Sequence, residues 1–422
     1  MTRVAVVGLG KIGLPLAALF ASKGAEVTGC DVDPAVVEAV NAGLSIVAEP
    51  GLEVMLAKAR GDGRLRATTD TPAAVAGSDV IVVVVRTALD EARRPDYAAL
   101  DAAADAIGRG LQPGSLVILE TTVPVGSTRQ RFARRITDTS NLALDAFHVA
   151  YSPERVSSGT MFRDLATYPK LVGGIDSASG RAAADFYRSV LDAEVMLLPD
   201  AETAEFAKLA ESIYRDVNIA LANELAMAAE SLGVDYAAAA RASNSQPYSH
   251  LHSPGVGVGG HCIPVYPYFL IEAAEQPIVE LSRRVNDSMA AYAVDRLAAS
   301  LEAGLADKTV LILGLAYRGG VKEAAFSSTH LLASELRLRG ARVLVHDPLF
   351  SDAELTGFGL EASSLPPRAP VDAAILQAMH PEYAALDPAS IRGCRVFLDG
   401  RGAFDRSRVE SAGLRYLAIG LP

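Results

Sequence analysis

The chain has 422 residues, half of them hydrophobic, with no tryptophan, three cysteines and a formal net charge of −11. That length makes two or three domains with ample core, and the acidic balance argues against a nucleic-acid-binding surface. Cys30, Cys262 and Cys394 are far apart and odd in number, so neither a disulfide framework nor a metal centre is expected, and a reducing, cytoplasmic setting is. A strand pattern follows Met1 directly, so no signal peptide is expected, and no apolar run is long enough for a membrane span.

Arg3 to Val7 is a short β-branched run that feeds Gly8-Leu9-Gly10-Lys11-Ile12-Gly13. A helical pattern from Leu14 to Lys23 then closes at Gly24, and a second apolar strand, Ala25 to Cys30, delivers Asp31, 18 residues beyond Gly13. Glycines in this context permit the tight turn and the close approach of a pyrophosphate to a helix N-terminus, while the acid can bind a ribose 2′-hydroxyl. A carboxylate there would repel a 2′-phosphate, so NAD is expected over NADP.

Alternating strands and helices continue. Asp79 to Val85 and Leu116 to Thr122 are built on fully apolar runs, as in parallel sheets covered on both faces. Val123-Pro124-Val125-Gly126-Ser127-Thr128 breaks the second of these and is expected to cap a new helix. Arg129, Arg131, Arg134 and Arg135 read as the solvated face of that helix. His148 to Ser152 is a further strand, followed by Pro153-Glu154-Arg155-Val156. Thr122 and Glu154 therefore fall at C-terminal strand ends, where open α/β sheets bind ligands.

From Ala201 to Leu232 there is hardly a helix breaker, and Phe206, Leu209, Ile213, Val217, Ala220, Leu221 and Leu225 recur at helical spacing. A helix of about 30 residues spans ~45 Å. It is expected to connect two domains and offer an apolar stripe to a partner subunit. Lys208 lies on it among Ala and Leu, either snorkelling or functional. A second helical segment runs to Ala242, and Glu280 to Ala303 resumes as helix.

Between them lies Pro254 to Leu270, PGVGVGGHCIPVYPYFL. Gly257, Gly259 and Gly260 free the backbone for positive φ and close ligand approach, and Cys262 follows at once. A thiol on such a loop is either a nucleophile or a buried, inert cysteine. Thr309 to Leu313 then starts a second series, with Gly314-Leu315-Ala316-Tyr317-Arg318-Gly319-Gly320 as its turn. Helix Ser328 to Arg339 and strands Arg342 to His346, Val371 to Leu376 and Arg395 to Leu398 complete a second, smaller doubly wound domain. It has no GxGxxG fingerprint but suits a nucleotide-shaped ligand.

Together, VAVVGLGKIGLPLA, TTVPVGST, SPERV, AKLAESIYRDVNIALANEL, GVGVGGHCIPVYPYFL and GLAYRGGVK resemble the nucleotide-sugar 6-dehydrogenases, the UDP-glucose/GDP-mannose dehydrogenase family, over essentially the whole chain. GGHCIP, with histidine before cysteine, is similar to the branch acting on UDP-N-acetyl-mannosamine or UDP-N-acetyl-glucosamine. The resemblance implies an α/β fold of two Rossmann-like doubly wound parallel-sheet domains joined by a long central helix and a helical dimerisation region. NAD is expected on residues 1–199, the dimer contact and thiol loop on 200–304, and the UDP moiety on 305–422.

The resemblance further implies a four-electron oxidation of a C6 alcohol to a carboxylate with two NAD in succession. Cys262 would capture the aldehyde as a thiohemiacetal that becomes a thioester, Lys208 would hold the oxyanion, Glu154 would serve as base, and Thr122 would lie by the alcohol or its water. Gly8, Gly10, Lys11, Ile12, Gly13, Asp31, Arg86, Thr87 and Thr122 would hold NAD. Glu154, Arg155, Val156, Lys208, His250, Gly257, Gly259, Gly260, His261, Tyr266, Tyr317 and Arg318 would line the UDP-sugar. Ser212 stands where the family usually has an oxyanion-holding asparagine, Tyr266 where it has an aspartate, Arg318 for a common lysine and Ala325 for an arginine. Retained polar or basic character makes this a divergent sub-branch. The expected protein is a cytoplasmic homodimer binding neither nucleic acid nor membrane. The alternatives are a UDP-glucose 6-dehydrogenase and a catalytically silent NAD or nucleotide-sugar binding protein.

Overall fold

Short apolar runs pair into two sheets, one mostly and one wholly parallel. In the computed structural model, which describes residues 1–422, the chain divides into one unit of Met1–Glu211 with Tyr268–Ala274 and another of Ser212–Pro267 with Glu275–Pro422. The first unit carries β1 (Arg3–Val7), β2 (Glu26–Cys30), β3 (Leu65–Thr68), β4 (Val80–Val83), a small hairpin of β5 (Ala88–Leu89) and β6 (Pro95–Asp96), β7 (Leu116–Leu119), β8 (His148–Tyr151), β9 (Lys170–Gly174) and β10 (Val195–Leu197). Its main sheet has the order β10-β9-β8-β7-β4-β1-β2-β3. All neighbours are parallel except β8 and β9.

The alternation of side chains explains why these runs are apolar throughout. Val4 and Val6 pack with Phe20 and Phe186 on one face, and Ala5 and Val7 with Leu100, Ile107 and Phe132 on the other. Strand order reverses between β1 and β4, which opens a crevice at their C-terminal ends.

The second unit repeats the plan with β11 (Thr309–Leu313), β12 (Arg342–His346), β13 (Glu361–Ala362), β14 (Ala373–Leu376), β15 (Val396–Asp399) and β16 (Arg415–Ala418). The order is β13-β12-β11-β14-β15-β16, all parallel, with its reversal between β11 and β14. The long helix Ala201–Ser231 begins in the first unit and ends in the second. Leu209 and Ala220 are buried, whereas Phe206, Leu221 and Leu225 are 51%, 43% and 38% exposed. No helix is long and apolar enough to cross a membrane.

Two local expectations are corrected. Neither Ser127 nor Thr128 caps the helix after TTVPVGST with its side chain. A π-helical turn, Thr128–Ala133, precedes the α-helix Arg134–Ser140, and the Glu205 carboxylate receives the N–H groups at its start. Nor are the nearby arginines simply solvated. Arg129 pairs with Glu202, Arg131 with Asp101 and Arg135 with Asp105, each at 2.6 Å. The last two acids belong to helix Ala98–Gly110, which packs alongside. These half-exposed pairs are each worth little in stability.

Candidate functional site

In the first unit the glycine turn meets three different demands. Gly8 has φ +94°, and a Cβ there would lie 2.4 Å from the Val84 carbonyl oxygen. A Cβ on Gly13 would lie 1.8 Å from the Gly8 oxygen, whereas one on Gly10 would meet nothing within 4 Å. Gly8 and Gly13 are thus required for packing, and Gly10 faces open space where a ligand can approach. Helix Gly13–Ser22 begins without a capping side chain or an acid in its first turn, so its N-terminus suits an anion.

Asp31, at the end of β2, reaches back to this turn. Its Oδ2 accepts the Leu9 N–H at 2.8 Å and its Oδ1 the Asp33 N–H at 3.0 Å. Across the crevice, beyond β4, the Thr87 hydroxyl is buried with no hydrogen-bond partner in the chain, while Arg86 is exposed. Open space at Gly10, an uncapped helix and an orphaned hydroxyl fit a dinucleotide in this crevice.

The C-terminal edge of the same sheet gathers the polar groups. Lys208 is buried, and its Nζ donates to the backbone carbonyl of Glu154. Val156 N–H donates to the Glu154 carboxylate. Burial pushes the Glu154 carboxyl above its usual range, with Lys208, the Val156 N–H and Lys170 opposing and Glu120 adding to the rise. Thr122 is buried on the neighbouring loop. Arg155 bonds within the unit, to Glu211 and to the Pro169 carbonyl, each at 3.1 Å.

The sequence reading missed two supports of this edge. Glu205 is fully buried, and accepts Thr128 N–H at 2.8 Å, the Thr128 hydroxyl at 2.6 Å and Gly126 N–H at 2.5 Å. It ties the loop bearing Thr122 to the helix bearing Lys208. Glu120 likewise receives Lys170 Nζ at 2.7 Å and the Tyr187 hydroxyl in a buried cluster behind Glu154. Both acids sit where a strand exit or a helix face would otherwise read as solvated.

In the second unit the glycines before Cys262 lie against the exits of the second sheet. Gly257 has φ +138°, and its Cβ would meet Ser328 Oγ at 2.8 Å. Cβ atoms on Gly259 and Gly260 would meet Tyr317 at 2.8 and 3.1 Å. Val256 N–H donates to the Gly400 carbonyl at 3.2 Å, and Gly260 N–H to the Ala325 carbonyl at 2.9 Å. Cys262 is partly exposed, whereas burial pushes the Cys30 and Cys394 thiols up to about 12. His261 Nε2 lies 3.3 Å from Glu323 Oε2, and Glu323 Oε1 accepts Ala325 N–H at 3.0 Å. His250 is exposed and stacks edge-on with His252. Ser212 is buried, Tyr266 N–H donates to the Cys262 carbonyl at 2.9 Å, and Arg318 projects from the turn after β11.

Arg401 is a further residue that the sequence reading left unassigned. It leaves β15, and its guanidinium donates to the Gln377 carbonyl at 2.6 Å and the Gly257 carbonyl at 3.1 Å. Burial lowers its pKa to about 10. Arg401 Nη2, both side-chain polar atoms of Gln377 and Ser328 Oγ are all buried without hydrogen-bond partners in the chain. They cluster at the reversal of strand order, and such orphaned groups fit a polar ligand that completes their bonds.

Comparison with known proteins shows the family. Profiles of the UDP-glucose/GDP-mannose dehydrogenase family match in series: the NAD binding domain over residues 2–191, the central domain over 202–288 and the UDP binding domain over 311–406. The chain is 34% identical over 408 residues to a UDP-N-acetyl-D-mannosamine dehydrogenase of Pyrococcus horikoshii, covering 94% of this chain and 95% of that one. It is 32% identical to an NDP-N-acetyl-D-galactosaminuronic acid dehydrogenase of Ralstonia solanacearum, covering 97% of each. Among solved structures it superposes on the UDP-D-ManNAc dehydrogenase of Pyrococcus horikoshii with a TM-score of 0.90, at 33% identity over 99% of both chains. A UDP-glucose dehydrogenase of Pyrobaculum islandicum gives a TM-score of 0.89 at 30% identity, over 100% of this chain and 98% of that one.

Proposed function

We propose, for a chain that belongs to the UDP-glucose/GDP-mannose dehydrogenase family, the NAD-dependent oxidation of the C6 hydroxyl of a UDP-N-acetylhexosamine to the uronic acid. UDP-N-acetylmannosamine is the substrate we place first, because several relatives carry that name. The observation that carries the reading is the Lys208–Glu154 pair, a buried lysine whose Nζ donates to the Glu154 backbone carbonyl beside a carboxyl that burial makes more basic.

NAD would be held by Gly8, Gly10, Lys11, Ile12, Gly13, Asp31, Arg86, Thr87 and Thr122, and two NAD bound in succession would each accept one hydride. The Cys262 thiolate adds to the C6 aldehyde, and Lys208 with Ser212 holds the resulting oxyanion of the thiohemiacetal. Loss of the second hydride from C6 turns the thiohemiacetal into a thioester. Water then cleaves it to release the carboxylate and the Cys262 thiol, with Glu154 taking the water's proton and Thr122 orienting the water. Ser212 donates as an asparagine would, with shorter reach. Arg155, Val156, His250, Gly257, Gly259, Gly260, His261, Tyr266, Tyr317 and Arg318 are assigned to the UDP-sugar, and Arg401 with Gln377 joins them.

We assign NAD to residues 1–199, the subunit contact and thiol loop to 200–304 and the UDP moiety to 305–422. The protein is proposed to be a cytoplasmic homodimer joined through the exposed side chains of helix Ala201–Ser231. The test is a panel of UDP-N-acetylmannosamine, UDP-N-acetylglucosamine, UDP-N-acetylgalactosamine and UDP-glucose with NAD. The reading expects two equivalents of reduced nicotinamide per UDP-N-acetylhexosamine consumed. Preference for UDP-glucose would support the alternative dehydrogenase, and no turnover with tight binding would mark a silent binding protein.

A further inference from the structure

We propose that His380 is a positioning residue for the nucleotide-sugar: with Asp347 it ties together the two ends of the Gly314–Gly320 turn and so seats Tyr317 against the glycines of the thiol loop. The proposal rests on the assignment of that turn to the substrate and of Cys262 to the chemistry.

The two doubly wound units carry matching acids. Asp31 follows β2 and accepts Leu9 N–H at 2.8 Å; Asp347 follows β12 and accepts Leu315 N–H at 2.7 Å. The preceding glycines, Gly8 and Gly314, share a left-handed φ of +94° and +104°. Their surroundings then diverge. Asp31 is half-buried at an open crevice. The Asp347 side chain is completely buried, and also receives Ala316 N–H at 2.8 Å and His380 Nε2 at 3.1 Å. An acid in the position of a ribose reader is consumed inside its own unit.

His380 completes the tie. Its ring is fully buried, and Nδ1 accepts Gly320 N–H at 3.2 Å. That bond makes Nδ1 an acceptor and leaves Nε2 to donate to Asp347, a tautomer assigned from the network. Asp347 thus holds the start of the turn, His380 holds its end, and each holds the other. The turn lies hard against the exit of β14, because a Cβ on Gly319 would sit 1.7 Å from the Met379 oxygen.

What this fixes is the tip. Tyr317 lies under Gly259 and Gly260, which would clash with it at 2.8 and 3.1 Å if either carried a Cβ. Tyr317 N–H donates to the Glu323 carbonyl, and Gly260 N–H to the Ala325 carbonyl, each at 2.9 Å. Release of the turn therefore removes the surface on which the two residues before His261-Cys262 rest. A buried pair kept for stability alone is often matched by apolar packing, whereas this pair joins backbone groups at both ends of the turn that carries Tyr317.

The experiment compares full-length His380→Ala, His380→Gln and Tyr317→Ala with the parent. The readouts are steady-state kinetics, thermal midpoint and the rate of iodoacetamide alkylation at Cys262, located by peptide mass spectrometry. His380→Ala should raise KM for the UDP-sugar about tenfold while kcat falls less, and change the alkylation rate at least about threefold. His380→Gln keeps one donor and one acceptor on a planar group and should restore both. A folded His380→Ala enzyme with a lower midpoint but parental KM and alkylation rate overturns the proposal. Should His380→Ala fail to fold, Tyr317→Ala decides, since an unchanged alkylation rate there breaks the link. Alkylation needs no turnover, so this outcome is separable from an active Cys262→Ala, which would defeat the covalent mechanism instead.

Discussion

Glu205 and Thr128 join the two elements that carry the catalytic candidates of the first unit. The Glu205 carboxylate accepts both the N–H and the hydroxyl of Thr128, and the same helix presents Lys208 one turn later. Thr128 opens the π-helical turn that directly follows the loop carrying Thr122. The bond therefore fixes the spacing between the Thr122 hydroxyl and the Lys208 side chain, two groups proposed to act on one substrate.

That carboxyl should make stability depend on pH. Burial pushes Glu205 up to about 7 against the pull of the Thr128 and Gly126 donors. An unfolded glutamate titrates near ~4.3, so the folded chain holds this proton more tightly. Its contribution is greatest below pH ~4.3 and is lost as pH rises towards ~7, by up to about 4 kcal/mol. Urea unfolding at pH ~5 and ~8 should show the parent losing ground to Glu205→Gln at the higher pH. A constant difference between the two proteins would place the carboxylate as fully ionised throughout.

Asp31 should set cofactor choice. Its carboxylate stands beside the glycine turn with one oxygen on Leu9 N–H, where a 2′-phosphate would meet like charge. The parent should use NAD with a kcat/KM at least about a hundredfold above that for NADP, and Asp31→Ala should narrow the gap. Equal use of the two cofactors by the parent would remove Asp31 from this role.

The exposed side chains of the long helix should be covered in solution. Phe206, Tyr214, Leu221 and Leu225 are each more than a third exposed on one helix, and Ile278 and Leu281 on helix Pro277–Ala299 are 71% and 51% exposed. Light scattering at micromolar protein should give twice the chain mass, and Leu221→Glu should shift it towards one. A monodisperse monomer for the parent would leave this face without a partner.

The turn from Gly8 to Asp31 was legible because its demands are local: each glycine answers a clash or an opening set within one βαβ unit. The strands were legible from apolar runs, although Asp79 to Val85 and Leu116 to Thr122 stop short at Val83 and Leu119, where the chain leaves the ladder. The supports of the site were not legible. Lys208 meets Glu154 across 54 positions and Lys170 meets Glu120 across 50, and no periodicity encodes such pairs. Glu205 and His380 resemble surface residues until the fold buries them. Ion pairing of Arg131 and Arg135 required helix Ala98–Gly110, which was not read at all.

Cys262 decides whether the oxidation is covalent. It is partly exposed on a glycine loop, while burial holds the other two thiols protonated with pKa values near 12. Iodoacetamide should therefore modify Cys262 ahead of Cys30 and Cys394, and bound UDP-sugar should protect it. Cys262→Ser should bind NAD and substrate but lose steady-state turnover, because an oxygen ester hydrolyses more slowly than a thioester. Intact-mass spectrometry should then find the protein carrying one added nucleotide-sugar. Cys262→Ala should form no adduct and should stop at the aldehyde after a single slow oxidation. A Cys262→Ala enzyme that still released carboxylate at near the parental rate would mean that the aldehyde is hydrated without capture. Lys208 and Glu154 would then act on water alone, and the glycines before Cys262 would serve only the packing against Tyr317.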